Sequence, residues 1–259
     1  MILITGFAPF GGDTDNPSRQ SARRAVELLN ASSVPASFLE VPVVFKTSGP
    51  VVVTEIVRLN ANNPSDPVTV VICAGLAGNR RTVSLETTAV NLQDGRIPDN
   101  AGDQPRGTPV IPPPPTPGAT PAAGSAADPT DVAPAAVAMQ TARTQPAGTE
   151  RTSAAAAGNG QEEDEPNSNK NPNRHRAATL TSRLDLKPTY AAIKDAGIPV
   201  SMSDDAGLYV CNSLFYYTLH EVPEPVKVGF VHVPPDSKVS IEQQAEALVI
   251  AARVAAGLQ

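Results

Sequence analysis

Short apolar runs alternate along this chain with longer stretches in which apolar residues recur every three or four positions. Ile2-Leu3-Ile4 reads as a buried strand, and a Gly/Pro-rich turn leads from it to a helix over residues 18–29. A strand is expected over 38–44. A helix follows over 51–59, where apolar positions keep helical spacing despite several β-branched valines. Val68-Thr69-Val70-Val71-Ile72-Cys73-Ala74 is the clearest buried strand. Residues 82–92 read as a strand pair, followed by the polar loop Asp94-Gly95-Arg96-Ile97-Pro98-Asp99-Asn100.

Downstream, a helix over 188–195 carries Pro188 in its first turn, where the missing N–H costs nothing. A short strand over 198–201, a helix over 211–220 and a strand over 226–232 follow. A last helix starts at Ser240, whose hydroxyl can cap it while Gln243 reaches back three residues later. Strand and helix alternate almost throughout. The expected fold is α/β: a three-layer αβα sandwich with a mostly parallel twisted sheet and helices on both faces.

Between about residues 105 and 175 the periodicity stops. Pro112-Pro113-Pro114-Pro115, Ala/Gly/Thr/Pro mixtures, the acidic run Glu162-Glu163-Asp164-Glu165 and a polar Asn/Lys/Arg stretch follow one another. That composition offers too little apolar surface to offset an ordering cost of about 1–2 kcal/mol per residue. It is expected to be a disordered insertion at about 107–173 in a single domain spanning 1–259. Closing such a loop costs little, since the entropy grows only with the logarithm of its length. A solvated linker and a docking segment for a partner are the two readings of it.

Composition narrows the function classes. With 259 residues and 41% apolar content, a sizeable core is available, although Pro (27) and Gly (18) are high and aromatics only 4%. A net charge of -6 lacks the basic footprint of a nucleic-acid binder. Two cysteines cannot build a multi-bridge framework or a four-cysteine zinc site, and the histidines show no ligand spacing, so neither metal nor cofactor is expected. The N-terminal apolar run lacks a basic flank and is too short for a signal peptide, and no run reaches the roughly 18 residues of a membrane span. A cytoplasmic protein with reduced thiols is the expectation.

The segment Ala206-Gly207-Leu208-Tyr209-Val210-Cys211-Asn212 turns at a glycine and opens an apolar helix with a cysteine in its first turn. The partial positive charge of a helix N-terminus favours thiolate over thiol, so Cys211 is a candidate nucleophile. His232 lies at the far end of the next strand, the edge where sites form on parallel sheets. Glu86 supplies a carboxylate in a polar break, completing the three parts of a cysteine-hydrolase triad. Cys73, inside a strand with apolar neighbours, reads as core, His175 falls in the polar insertion, and His220 ends the Cys211 helix. Gly6-Phe7-Ala8-Pro9-Phe10-Gly11-Gly12 has glycines spaced like a phosphate loop, but Gly12 stands where the lysine belongs and Asp13 adds the wrong charge. Phe7 and Phe10 serve either as core or as flat walls around a small ring.

Taken together, these residues resemble the pyroglutamyl peptidase I family, the pyrrolidone-carboxylate peptidases, which are cysteine peptidases. The pieces that carry the resemblance run in order through both flanks. They are Thr5-Gly6-Phe7-Ala8-Pro9-Phe10-Gly11-Gly12 with Asn16-Pro17-Ser18, Val41-Pro42-Val43-Val44-Phe45, Gly75-Leu76-Ala77-Gly78, and Glu86 with Ala89-Val90-Asn91. The 94–100 loop, the 206–212 segment and Phe230-Val231-His232-Val233-Pro234 complete them.

The resemblance implies hydrolysis of the bond after an N-terminal pyroglutamyl residue of small peptides, through a thioester. Cys211 would be the nucleophile, His232 the base and then the acid, and Glu86 the carboxylate that orients the imidazole. Arg96 would lie near the developing oxyanion, Phe7 and Phe10 would sandwich the lactam ring, and Leu76, Ile97 and Val210 would lie near the pocket. It also implies subunit contacts, hence a homo-oligomer, dimer or tetramer.

Four departures stand out: Asn79 before Arg80, the pair Asp204-Asp205, the insertion, and Leu184-Asp185-Leu186 in place of an aromatic-rich strand. Carboxylates facing Cys211 would disfavour its thiolate. With the insertion, they motivate an alternative: a pyroglutamyl-peptide-binding protein with the pocket but little turnover. A phosphorylase or nucleosidase on a similar scaffold is a third reading, disfavoured by the loop chemistry.

Overall fold

In the computed structural model, which describes residues 1–114, 171 and 173–258, eight strands and five helices follow one another much as the periodicity predicts. Strands β1 (Ile2–Phe7), β2 (Ala36–Val41) and β3 (Val70–Leu76) alternate with helices α1 (Pro17–Ala31) and α2 (Ser48–Asn62). Then come β4 (Val83–Glu86), β5 (Thr88–Val90), β6 (Thr179–Thr181), α3 (Leu186–Asp195), β7 (Val200–Ser203), α4 (Val210–Glu221), β8 (Lys227–Val233) and α5 (Ile241–Ala255).

Six strands form one sheet in the order β2-β1-β3-β8-β4-β7. The pairs from β2 to β8 are parallel, β4 runs antiparallel to β8, and β7 is parallel to β4. Residues 82–92 do hold two strands, but they part company: β4 joins the main sheet while β5 pairs antiparallel with β6. The partner that divides them arrives some ninety residues later, beyond the reach of any local pattern.

Alternation along each strand sends side chains to two cores. Ile2, Ile4, Val70, Ile72 and Val231 pack against Ala22, Ala25 and Leu29 of α1, Ile193 of α3 and Leu248 of α5. Leu3, Val71, Cys73, Val228 and Phe230 face the other way, against Val52 and Ile56 of α2 and Leu214 and Phe215 of α4. Helices therefore cover both faces, as the sandwich reading requires.

Local chemistry sets the helix ends. Asn16 caps α1 by accepting from Ser18 N at 3.0 Å, with Pro17 as the first helical residue. Ser240 and Gln243 form the expected capping box on α5. Gly6 is needed because a Cβ there would stand 2.4 Å from the Ser18 carbonyl oxygen, where α1 crosses the end of β1.

Within the stretch expected as an insertion, residues at both ends belong to the fold. Thr108 and Gln93 exchange backbone hydrogen bonds at 3.1 and 2.8 Å, and Val110 and Ile111 pack against the second core. On the far side Arg174–Arg176 form a single 3-10 turn. The remainder, 115–170 and 172, lies outside the described residues.

Candidate active site

His232 sits at the end of β8, between two unlike neighbours. On one side the parallel register places Gly75 of β3 beside it, and on the other the antiparallel register places Ser84 of β4 opposite it. Glu86, two residues beyond Ser84, shares that face and lies on the diagonal, within reach of a long side chain. Its Oε1 is 2.8 Å from His232 Nδ1, with Glu86 0% and His232 4% exposed. The ring of Phe230, two residues earlier on the same face, supports the imidazole at 4.7 Å between centroids.

Cys211 approaches from α4. The chain turns at Gly207 (φ 77°), and α4 begins at Val210 with no side chain capping it. The thiol thus lies in the first helical turn, where backbone N–H groups have no intrahelical partner. A Cβ on Gly75 would stand 2.9 Å from Cys211 Sγ, so the sulfur rests against bare backbone, next to the strand position that carries His232. Asn212 then locks the helix in place: its side chain accepts from Val90 N at 2.9 Å and donates to Val90 O and Leu92 O at 2.9 and 2.8 Å. These bonds are buried, and losing one would leave a backbone group unpaired at a cost of about 1–3 kcal/mol. The structure brings Cys211, His232 and Glu86 to one edge of the sheet.

Cys73 does not belong to that edge. It is fully buried in β3, and burial pushes its thiol up from 9.0 to about 12. Neither cysteine takes part in a disulfide. His220 pairs with Glu221 at the surface end of α4, and His175 sits in the exposed 3-10 turn. Among the described residues no group of His, Cys, Asp and Glu could hold a metal ion.

The expected pocket residues surround this edge less uniformly. Leu76 ends β3 and Val210 opens α4, bracketing the Gly75–Cys211 contact. Phe7 is 3% exposed and part of the second core, whereas Phe10 is partly exposed and packs on Tyr209 at 5.6 Å. Ile97 is 51% exposed. Arg96 is exposed as well, and its guanidinium has no hydrogen bond or ion pair among the described residues. Their loop is nonetheless fastened to the site. Asp94 N donates to Leu208 O at 2.8 Å, Tyr209 Oη to Pro98 O at 3.0 Å, and Asn100 Nδ2 to Pro9 O at 3.0 Å.

Of the two aspartates that precede Cys211 in sequence, one is engaged and the other exposed. Asp205 Oδ1 pairs with Arg174 at 3.0 Å and accepts from Gly207 N at 2.9 Å, and Asp204 is exposed.

Three side chains at the site were not singled out from sequence. Arg80 Nη1 lies 2.5 Å from Glu86 Oε1, and Phe45 meets Tyr209 edge-on at 5.0 Å. The signal for Arg80 was indirect: a fully buried carboxylate needs a cation, but sequence does not say which of many supplies it. Tyr209 and Phe45 stand within quoted motifs, yet nothing local marks them as wall rather than core.

Comparison with known proteins places the chain among relatives of one family. The family model described as pyroglutamyl peptidase matches residues 1–121 and 153–257. Its unmatched stretch falls inside the expected insertion. The pyrrolidone-carboxylate peptidase of Bacillus licheniformis is 29% identical over 267 residues, covering 98% of this chain and 92% of its own length. That of Levilactobacillus brevis is 30% identical over 238 residues, covering 90% of this chain and 81% of its own length. The crystal structure of pyroglutamyl peptidase I from Bacillus amyloliquefaciens superimposes with a TM-score of 0.64 at 29% identity, covering 98% of this chain and 94% of the other.

Proposed function

We infer that this chain, which belongs to the pyroglutamyl peptidase family, is a cysteine peptidase that removes an N-terminal pyroglutamyl residue from peptides. The observation that carries the reading is the buried 2.8 Å bond between Glu86 and His232, beside the Gly75 backbone on which the Cys211 sulfur rests. An ionised carboxylate only accepts hydrogen bonds, so Nδ1 carries the proton and Nε2 is left to take one from the thiol.

The thiolate attacks the carbonyl carbon of the pyroglutamyl residue, forming a C–S bond and placing negative charge on the oxygen. N–H groups of the first turn of α4 are the nearest preorganised donors for that charge, and Arg96 is a second on the family resemblance. His232 then gives its proton to the departing amine as the C–N bond breaks. Water, deprotonated by His232, hydrolyses the thioester and releases pyroglutamate. Phe10, Phe7, Leu76, Ile97 and Val210 form the apolar surroundings of the lactam in this reading. A pocket with backbone partners for the lactam N–H and C=O rejects substrates that leave those partners bare.

The alternative of a binding protein without turnover keeps only one of its two motives, the insertion, because Asp205 pairs with Arg174 and Asp204 faces solvent. Residues 1–259 are read as one family domain interrupted by an insertion, acting in the cytoplasm as a dimer or tetramer. Two cysteines that form no disulfide suit a reducing compartment, and among the described residues no helix is long and apolar enough to cross a membrane. Sedimentation of the full chain tests the assembly.

The decisive assay is hydrolysis of a fluorogenic pyroglutamyl amide by reduced protein, beside the matching prolyl and glutaminyl amides. Turnover of the pyroglutamyl substrate alone is expected. No turnover in the reduced enzyme would overturn the reading.

A further inference from the structure

Arg80 lies outside the elements expected to carry chemistry, in the turn between β3 and β4, yet its guanidinium joins three groups at the site. Nη1 pairs with Glu86 Oε1 at 2.5 Å, while Nη2 donates to Ser203 Oγ at 3.1 Å and to Asp205 O at 2.7 Å. Ser203 ends β7 and is the register partner of Glu86. Asp205 begins the short lead into α4, where its carboxylate caps Gly207 N. One planar cation therefore ties the carboxylate behind His232 to the chain that delivers Cys211.

Two details set this contact apart from an ordinary ion pair. Glu86 is fully buried, and its Oε2 has no hydrogen-bond partner among the described residues, so the carboxylate is held through Oε1 alone. Among the described residues, only Arg80 and His232 grip that oxygen. Glu86 is also the one carboxylate that Arg80 pairs with among the described residues, since Asp205 Oδ1 is taken by Arg174.

We propose that Arg80 is a positioning residue: through Glu86 it fixes the imidazole of His232, and through Asp205 it fixes the start of α4, so that base and nucleophile keep their spacing. Its effect on turnover rests on the Cys211–His232–Glu86 reading. A lysine offers a point charge in place of the fork and cannot span all three partners.

The test compares full-length wild type, Arg80→Gln and Arg80→Lys. The measurements are kcat and KM on the pyroglutamyl amide, and the low-field proton signal of His232 Nδ1–H, which three histidines in the chain make tractable. Arg80→Gln is expected to lose kcat by about 10²-fold, the scale of a 1 Å misplacement, with KM little changed. The His232 signal should broaden or move. Arg80→Lys should recover only part of both. An unchanged His232 signal, or a loss confined to KM, overturns the proposal. If Arg80→Gln does not fold, Arg80→Lys decides on the same two readouts. If wild type itself releases no pyroglutamate, the peptidase reading fails, while the proton signal still decides whether Arg80 orders the Glu86–His232 pair.

Discussion

Cys73 and Cys211 approach the same face of the same sheet, yet their surroundings differ in nearly every respect. Cys73 is enclosed by the second core in the body of β3, and burial holds its thiol neutral up to about pH 12. Cys211 lies at the strand end, in the first turn of a helix and next to a buried His–Glu pair. The side chains are identical. In the proposed mechanism, reactivity follows from the helix terminus, the imidazole and the glycine that lets the sulfur in.

Removing each thiol in turn breaks the comparison most sharply. Cys211→Ala should abolish pyroglutamyl amide hydrolysis, by roughly 10⁴- to 10⁶-fold in kcat, the scale for losing a nucleophile. Residual turnover near wild type would place the chemistry elsewhere. Glu86→Gln keeps the shape but gives the imidazole a partner that no longer fixes its tautomer, and should cost roughly 10⁴-fold in kcat. Steady-state kinetics on the folded variant checks it, and a loss under tenfold would deny Glu86 its role.

Gly75→Ala tests the access that distinguishes the two sites. The added methyl would stand 2.9 Å from Cys211 Sγ and 2.8 Å from Phe230 Cζ, so the sulfur must shift. A fall of about 10²-fold in kcat is expected, together with slower alkylation of Cys211 by iodoacetamide. Unchanged alkylation would mean that the thiol does not rest where the glycine leaves room.

Smaller effects belong to Cys73. Cys73→Ala should leave kcat within a few-fold of wild type and reduce stability by about 1 kcal/mol, the cost of one buried heavy atom, read from denaturant melts. Its raised thiol also carries a signed pH dependence. Only the unfolded chain ionises near 9.0, so the contribution of Cys73 to stability is intact below that pH and is lost as pH rises toward 12. Wild type should therefore lose more stability than Cys73→Ala on going above pH 9. An equal loss in both would contradict it.

Much of this arrangement is legible along the chain, and the reasons are local. Helix α5 announces itself through Ser240 and Gln243, and β3 through its run of valines. The cysteine at the head of α4 and the histidine ending β8 follow from the same punctuation, because turn, cap and strand end are short-range features. Boundaries drifted where packing overrides pattern. The strand expected over 38–44 is β2 at Ala36–Val41, since register with β1 decides its length.

What the sequence by itself determined, then, is which residues could be strand, helix, thiol, base and acid, since periodicity, capping and residue chemistry act over a few neighbours. Only the tertiary structure decided that β4 runs antiparallel to β8, which puts Glu86 on the face of His232. It alone divided β4 from β5, chose Arg80 among the arginines as the partner of Glu86, and turned Asp205 toward Arg174 instead of Cys211. Those outcomes depend on contacts between segments up to about 150 residues apart, where pairing is settled by burial and charge satisfaction in three dimensions.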